Sequence, residues 1–467
     1  MSKKLDALVA LAGVCALSLF LLSCGSSSSR PSGLLYVLTQ GSSGVGNNVS
    51  SFAIDLSSGN LSLINSNAST CTTSGVSCGL PLNILLDPAG AAAFVLNQGV
   101  PSVSVAPTIY PYAVNSDGSL SSPGTPVAWN CISQVATTPP CTAANSYPDL
   151  GAAMARDAAG QFLFVIDQGS SPPPTTCPAR GAGVMNATDA MNFAGCPSIS
   201  VFATQPGSTA LTFVSQSSAY QQSPFFTSKI PSALSVLTFT SSGSTTAQEF
   251  LFVTNNSDIC TVGCNPLHND NTLSVYSVSS SGVLTEQVNS PYSTATIDPL
   301  TVQAVNTNPG QASSGVFVYV GAAGNAAGAL DLFQMCTVIG QANCSAQDVN
   351  NEVLVPVGSP TSVGQKPVGM VVDPTNKFLY VVNELSSNVY GFLINTTAGT
   401  LTALSPANLS TGSQPVALAM HSSGKFLYTS NNNASSISAF AVSTTSGSMS
   451  SLNTVNSPSG PRGMAAR

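Results

Sequence analysis

Seven times along this chain a proline opens an apolar stretch, and seven times an apolar run is built around an aromatic residue. The two series are offset by one. The prolines are Pro81, Pro148, Pro231, Pro299, Pro367, Pro415 and Pro461; the aromatic runs centre on Tyr36, Phe94, Phe164, Phe252, Tyr319, Tyr380 and Tyr428. Tyr36 has no proline run before it, and Pro461 has no aromatic run after it. A radial array of repeats that closes by bringing the last strand of the chain into the first unit produces that offset. The sequence therefore predicts an all-β chain folded as a closed seven-bladed β-propeller of four-stranded antiparallel blades.

The unit is clearest near the C-terminus. Pro367–Pro374 leads to Lys377–Asn383, then to Ser387–Phe392 and Gly399–Thr402, four short strand-like runs with turn signals between them. The next unit repeats the order from Pro415 onward, and proline to aromatic is 13 residues in both, as it is from Pro81 to Phe94. No useful apolar run with helical spacing survives the Gly, Ser, Thr and Asn content. Residues 33–467 allow about 62 residues per blade where a compact blade needs roughly 40–45, so the surplus is expected in loop insertions, mostly of the second to fifth blades.

Ahead of the propeller the sequence carries an address. Lys3 and Lys4 form a charged start, Ala7 to Leu22 an apolar stretch, and Leu21-Leu22-Ser23-Cys24 resembles a bacterial lipobox. The expected division is a lipoprotein signal peptide over 1–23, a lipidated Cys24 with a flexible tether over 24–32, and the propeller over 33–467. A leader cleaved elsewhere is the plainer alternative, and an uncleaved membrane anchor is disfavoured by the shortness of the apolar run. The product is expected at the cell envelope, by analogy at the outer membrane because Gly25 rather than aspartate follows Cys24, and as a monomer. Loss of the leader takes the formal charge from −7 to −8, and only 6% of the chain is charged. That acidic, sparse balance makes nucleic acid an unsuitable partner.

Of the 12 cysteines, Cys15 belongs to the leader and Cys24 to the lipid. The other ten form local pairs, Cys71 with Cys78, Cys131 with Cys141, Cys177 with Cys196, Cys260 with Cys264, and Cys336 with Cys344. In an exported chain these read as disulfides closing Gly, Ser, Thr or Pro-rich insertions. Metal ligation is the rival: Cys260 and Cys264 with His268 look zinc-like but lack a clear fourth ligand. Asp258 and Asp270 with neighbouring asparagines suggest calcium without the ordered loop it needs. Neither a metal nor a cofactor is expected. Calling the face where each innermost strand begins the top, blade order puts the first four cysteine pairs there and Cys336 with Cys344 at the bottom.

Phe252-Val253-Thr254-Asn255 and Tyr380-Val381-Val382-Asn383, each followed by a polar turn and another strand, are similar to the repeats named for Tyr-Val-Thr-Asn. The chain from 33 to 467 resembles the bacterial seven-bladed propellers grouped with 6-phosphogluconolactonase and the muconate-lactonizing enzymes. The resemblance implies a lactone ring opened or closed in the top-face mouth of the channel. Its motifs are blade-building signals: Asp87, Asp157 and Asp373 mark the turn from the first strand of a blade to the second, as does His421, and they are expected to form turns and not to catalyse. A phosphate pocket would want converging Arg or Lys, and the mature chain carries few.

Topology nominates a site. Asp149, Lys229, Asp298, Lys366 and Arg462 each stand within two residues of a proline that opens a blade, and Asp167, Asp258, His268, Asp270 and Glu384 follow the aromatic strands. For lactone hydrolysis His268, Asp149 or Asp298 would be the general base, with Lys366 or Arg462 steadying the oxyanion. The competing reading makes them solvated loop charges or salt bridges at the channel mouth. No Gly-x-Ser-x-Gly elbow supports a serine hydrolase. Trp129, the one tryptophan, falls in an expected top insertion, placed for carbohydrate stacking if exposed and for packing on a disulfide if buried. Of three classes, the expected one is a module that binds a small molecule, a glycan or an envelope protein at its top face; the alternative is a hydrolase of an exported or environmental lactone, and a spacer without ligand is the third.

Overall fold

The structure, a computed structural model, describes residues 33–40, 47–70, 79–98, 107–128, 151–168, 183–184, 198–218, 229–240, 246–257, 271–309, 315–324, 327–458 and 460–467. Cys24 and the expected leader, Asp149, His268, Asp258, Asp270, Trp129 and the first four expected cysteine pairs lie outside them. Seven antiparallel sheets form the ring, and the innermost strand of each packs against the innermost strand of the next until the circle is complete. The last strand, Pro461–Ala466, pairs with Leu34–Thr39, joining Leu35 to Ala466, Tyr36 to Ala465 and Val37 to Met464. That closure makes blade 1 from both ends of the chain.

The second strand of a blade is buried on both faces. Leu34–Thr39, Ala92–Asn97, Phe162–Asp167, Phe378–Asn383 and Phe426–Asn431 are buried at every position, which is why they read as unbroken apolar runs. Their side chains nevertheless alternate between two seams. Leu34, Tyr36 and Leu38 pack toward blade 2, and Leu35 and Val37 toward blade 7. Each of the seven hydrophobic clusters occupies one seam between neighbouring blades, so the core is a ring of seven interfaces and not a central mass. The outermost strand Leu401–Ser410 shows the alternation of a sheet edge with one wet face.

A tyrosine in the second strand latches several seams. Tyr36, Tyr319, Tyr380 and Tyr428 donate their hydroxyls to the carbonyls of Gly118, Gly399, Gly447 and Gly59 in the next blade at 2.8, 2.6, 2.7 and 3.0 Å. The acceptor glycine must be glycine: Gly447 has φ +70 and a Cβ there would sit 2.3 Å from the Phe378 ring. The turn residues named from sequence are turn residues. Asp87, Asp157 and Asp373 accept the backbone N–H of Ala92, Phe162 and Phe378, each at 2.7 Å. His421 does the same work through Nδ1, which accepts from the Ser423 N–H at 3.1 Å.

Two details depart from the sequence expectation. Blade 3 does not open at Pro148: its innermost strand is Gly151–Arg156, with Gly151 opposite Asp167 where four of the other blades place proline opposite asparagine. Gly151 stands 13 residues before Phe164, the interval seen in three other blades, so the spacing was the better guide than the proline. Blade 3 also gains a fifth strand, because Gly183–Val184 leaves the connection between its second and third strands to pair outside Thr212–Ser218. In blades 4, 5 and 7 the outermost position is split into two short strands on one partner.

Candidate functional site on the top face

Every innermost strand begins with the same irregularity. In six blades its first residue (Pro81, Gly151, Pro299, Pro367, Pro415 or Pro461) pairs with the last residue of the second strand, in blade 4 Pro231 pairs with Asn255 two residues inside both strands, and in all seven the register then slips before pairing resumes. The slip is a β-bulge, a device that re-aims one side chain at a rim. The bulged residues are Leu82, Ala152, Ser232, Leu300, Val368, Val416 and Arg462. Only blade 1 places a charge there.

The residue before the proline adopts a left-handed conformation in four blades: Asp298 (φ 62), Lys366 (φ 56), Gln414 (φ 53) and Gly460 (φ 63). Each turns its carbonyl toward the residue that follows the second strand. Ala323, Glu384, Asn432 and Gln40 donate their N–H groups to these four carbonyls at 2.9, 2.9, 2.8 and 3.0 Å, and Gln98 does so to Leu80 at 2.8 Å. The position after the residue that faces the blade-opening proline or glycine reads Gln40, Gln98, Gln168, Asn256, Ala323, Glu384 and Asn432 around the ring. Six of these seven carry a carboxamide or carboxylate, a feature that the sequence analysis did not isolate, because the position gains meaning only from the backbone bond.

These polar groups are largely engaged with one another and with the scaffold. Gln168 donates to the Pro231 carbonyl at 3.2 Å and Asn432 to the Pro461 carbonyl at 3.1 Å, each reaching the next blade. Asn256 likewise donates to the Asp298 carboxylate, and the Asp298 N–H is held by the Asn271 side chain at 3.1 Å. Lys366 Nζ lies 2.8 Å from the Glu384 carboxylate, an ion pair within blade 6 whose members are 39% and 15% exposed. Arg462 is different: its carbonyl accepts from Ser430 at 2.6 Å, while its Nε is buried with no hydrogen-bond partner.

The residues nominated from sequence therefore fall into distinct places. Asp298, Lys366, Glu384 and Arg462 do share the top rim, on blades 5, 6, 6 and 1. Lys229 starts the innermost strand of blade 4 at the same end. Asp167 ends the second strand of blade 3 and is fully buried. It stands where other blades have Asn97, Asn255, Asn383 and Asn431, of which Asn255 and Asn431 bond to serine hydroxyls of the third strand at 2.8 to 3.0 Å. Cys336 and Cys344 are joined as expected, their Cα atoms 5.7 Å apart, on the connection between the third and outermost strands of blade 5 and so on the bottom face. Among the described residues no cluster of three or more His, Cys, Asp or Glu gathers as a metal site.

Residues 349–467 match the sequence model of a family described as lactonase, 7-bladed beta-propeller. The match spans the outermost strands of blade 5, the last two blades and the closing strand. This is a lactonase-like seven-bladed propeller. A putative 6-phosphogluconolactonase from Bacteroides fragilis superimposes with a TM-score of 0.59 at 13% identity, covering 93% of this chain and 98% of its own. The periplasmic gluconolactonase of Pseudomonas aeruginosa gives 0.58 at 15% identity, covering 93% and 99%. At such identities the likeness is one of fold. None of the curated protein sequences matches this lactonase-like chain.

Proposed function

We propose that this lactonase-like propeller is an exported, lipid-anchored module of the cell envelope that binds a ligand, a glycan, a small molecule or an envelope protein, at its top face. One observation carries the reading. Both described rim carboxylates are already held, Glu384 by Lys366 and Asp298 by Asn256, which leaves a polar surface of amides around the channel mouth and not a carboxylate poised over it. A general base must be free to accept a proton from water within hydrogen-bond reach. Amide-rich surfaces of low charge suit hydrogen bonding to neutral polar ligands.

A second reading, hydrolysis of an exported or environmental lactone, is favoured by the full-length likeness to a gluconolactonase whose name places it in the periplasm. In that case Arg462 would stabilise the oxyanion and Asp149 or His268 would serve as base. The test is proton release from a panel of lactones by the disulfide-bonded chain, beside Asp149→Ala, His268→Ala, Asp298→Ala and Arg462→Ala. The binding reading expects no turnover by the parent protein. Turnover that disappears in one or more of these variants would establish the hydrolase in its place.

A further inference from the structure

We infer that the bottom face of the propeller is its membrane-facing surface and that the top rim points away from the bilayer. The inference rests on the lipid-anchor reading of Cys24 and adds to it a direction. Gly33 is the first described residue, and its carbonyl accepts the Ile54 N–H at 2.9 Å, next to the bottom turn between the third and outermost strands of blade 1. From there Leu34–Thr39 runs upward, so the chain enters the fold from below. Residues 24–32, however arranged, span at most about 30 Å.

That reach is set against the path needed to turn the molecule over. The strand that begins at Leu34 lies inside two others of its blade. Passing outward beneath them costs about 10 Å of chain, and climbing six residues of strand costs about 20 Å more. A tether stretched to its limit would only reach the top edge, before any allowance for side chains or top connections. Held from below, the protein needs no such extension.

The bottom face presents exposed apolar side chains, as the top does at Leu385, 59% exposed after the second strand of blade 6. Leu56 is 39% exposed in the turn beside the entry point, where a Cβ on Gly33 would meet its Cδ2 at 2.8 Å. Ile339 is 72% exposed on the Cys336–Cys344 loop, whose form is set by the Gln341 side chain accepting from Thr337 N–H at 2.9 Å and donating to the Met335 carbonyl at 2.9 Å. The exposed charges below are mixed, Lys377 and Lys425 beside Asp55 and Asp117, so the attachment is one of tether and apolar contact and does not depend on anionic lipid.

The four lysines of residues 33–467 supply the test, because Lys377 and Lys425 sit on bottom turns while Lys229 and Lys366 begin innermost strands on top. The full lipidated chain is placed on phosphatidylcholine vesicles containing a trace of lipid with an amine-reactive ester on its headgroup. Labelling at each lysine is read by mass spectrometry relative to a soluble form of the ester. The expected result is a several-fold enrichment of Lys377 and Lys425 over Lys229 and Lys366. Equal labelling, or enrichment of the top pair, overturns the orientation while leaving the anchor intact. Flotation of the vesicles without the protein, with Cys24→Ser behaving the same way, overturns the anchor and the orientation together.

Discussion

Tyr380→Phe tests whether the seams are held by single hydroxyls. Tyr380 is fully buried among Phe378, Val389, Leu427 and Phe440, and its hydroxyl donates to the Gly447 carbonyl at 2.7 Å across the seam between blades 6 and 7. Removing the hydroxyl leaves a buried acceptor unpaired, which costs about 1–3 kcal/mol. The fold tolerates the change in kind, because blades 2, 3 and 4 carry Phe94, Phe164 and Phe252 at the same position. Unfolding entropy of about 2.1 cal/mol/K per residue over residues 33–467 makes a loss of about 1.5 kcal/mol a fall of only about 2 °C in Tm. Extending the substitution to Tyr36, Tyr319 and Tyr428 breaks all four latches and should lower Tm by about 7 °C if the seams add. Gly447→Ala should cost more than Tyr380→Phe alone, since it strains the φ +70 turn and drives a methyl into Phe378. The assay is thermal and urea unfolding of the soluble domain. An unchanged midpoint in the four-site variant would refute the latch, and Gly447→Ala milder than Tyr380→Phe would refute the steric account of the turn.

Two further outcomes follow from groups away from the rim. Glu249, at the start of the second strand of blade 4, has its carboxyl raised to about 7 by burial and then by the charge of Asp157. The folded protein keeps a proton that the unfolded chain releases near 4.5, so stability falls as pH rises from 4.5 to 7 and is level above. Glu249→Gln should match the parent at pH 4 and exceed it at pH 8 in urea unfolding; a variant weaker than the parent at pH 8 contradicts the assignment. Opening the Cys336–Cys344 loop by a double Ser substitution should cost roughly 2.5 kcal/mol from loop closure over a separation of 8. Proteolysis within 337–343 should rise with it, and an equally resistant loop would show that Gln341 holds the turn unaided.

How far the sequence could be read depended on which interactions use side chains. The aromatic runs were legible because a strand buried on two seams must be apolar at every position, and the Asp turns because Asp87, Asp157 and Asp373 make their own bonds to the backbone. The fifth strand of blade 3 was not legible, since Gly183 and Val184 pair through main chain alone and no side-chain pattern announces that. The ring of amides after the second strand was missed for the same reason: its common feature is an N–H bonded to the carbonyl that precedes the next strand partner.

The same reasoning bears on where function can reside. In a ring of repeated blades, the recurring Asn, Asp, Tyr and Gly groups are occupied in building each blade or joining it to the next. Specificity for one ligand must come from positions that break the repeat. At the bulge of the innermost strand six blades carry Leu, Ala, Ser or Val and one carries Arg462, whose Nε is buried without a partner. Two positions before the bulge, blades 5 and 6 depart as Asp298 and Lys366, the first holding a hydrogen bond from Asn256 and the second an ion pair with Glu384. Arg462 Nε and Gln40 Nε2, both on blade 1, are therefore described rim donors without a partner, and a ligand that offers an acceptor near blade 1 is the chemistry that would use them.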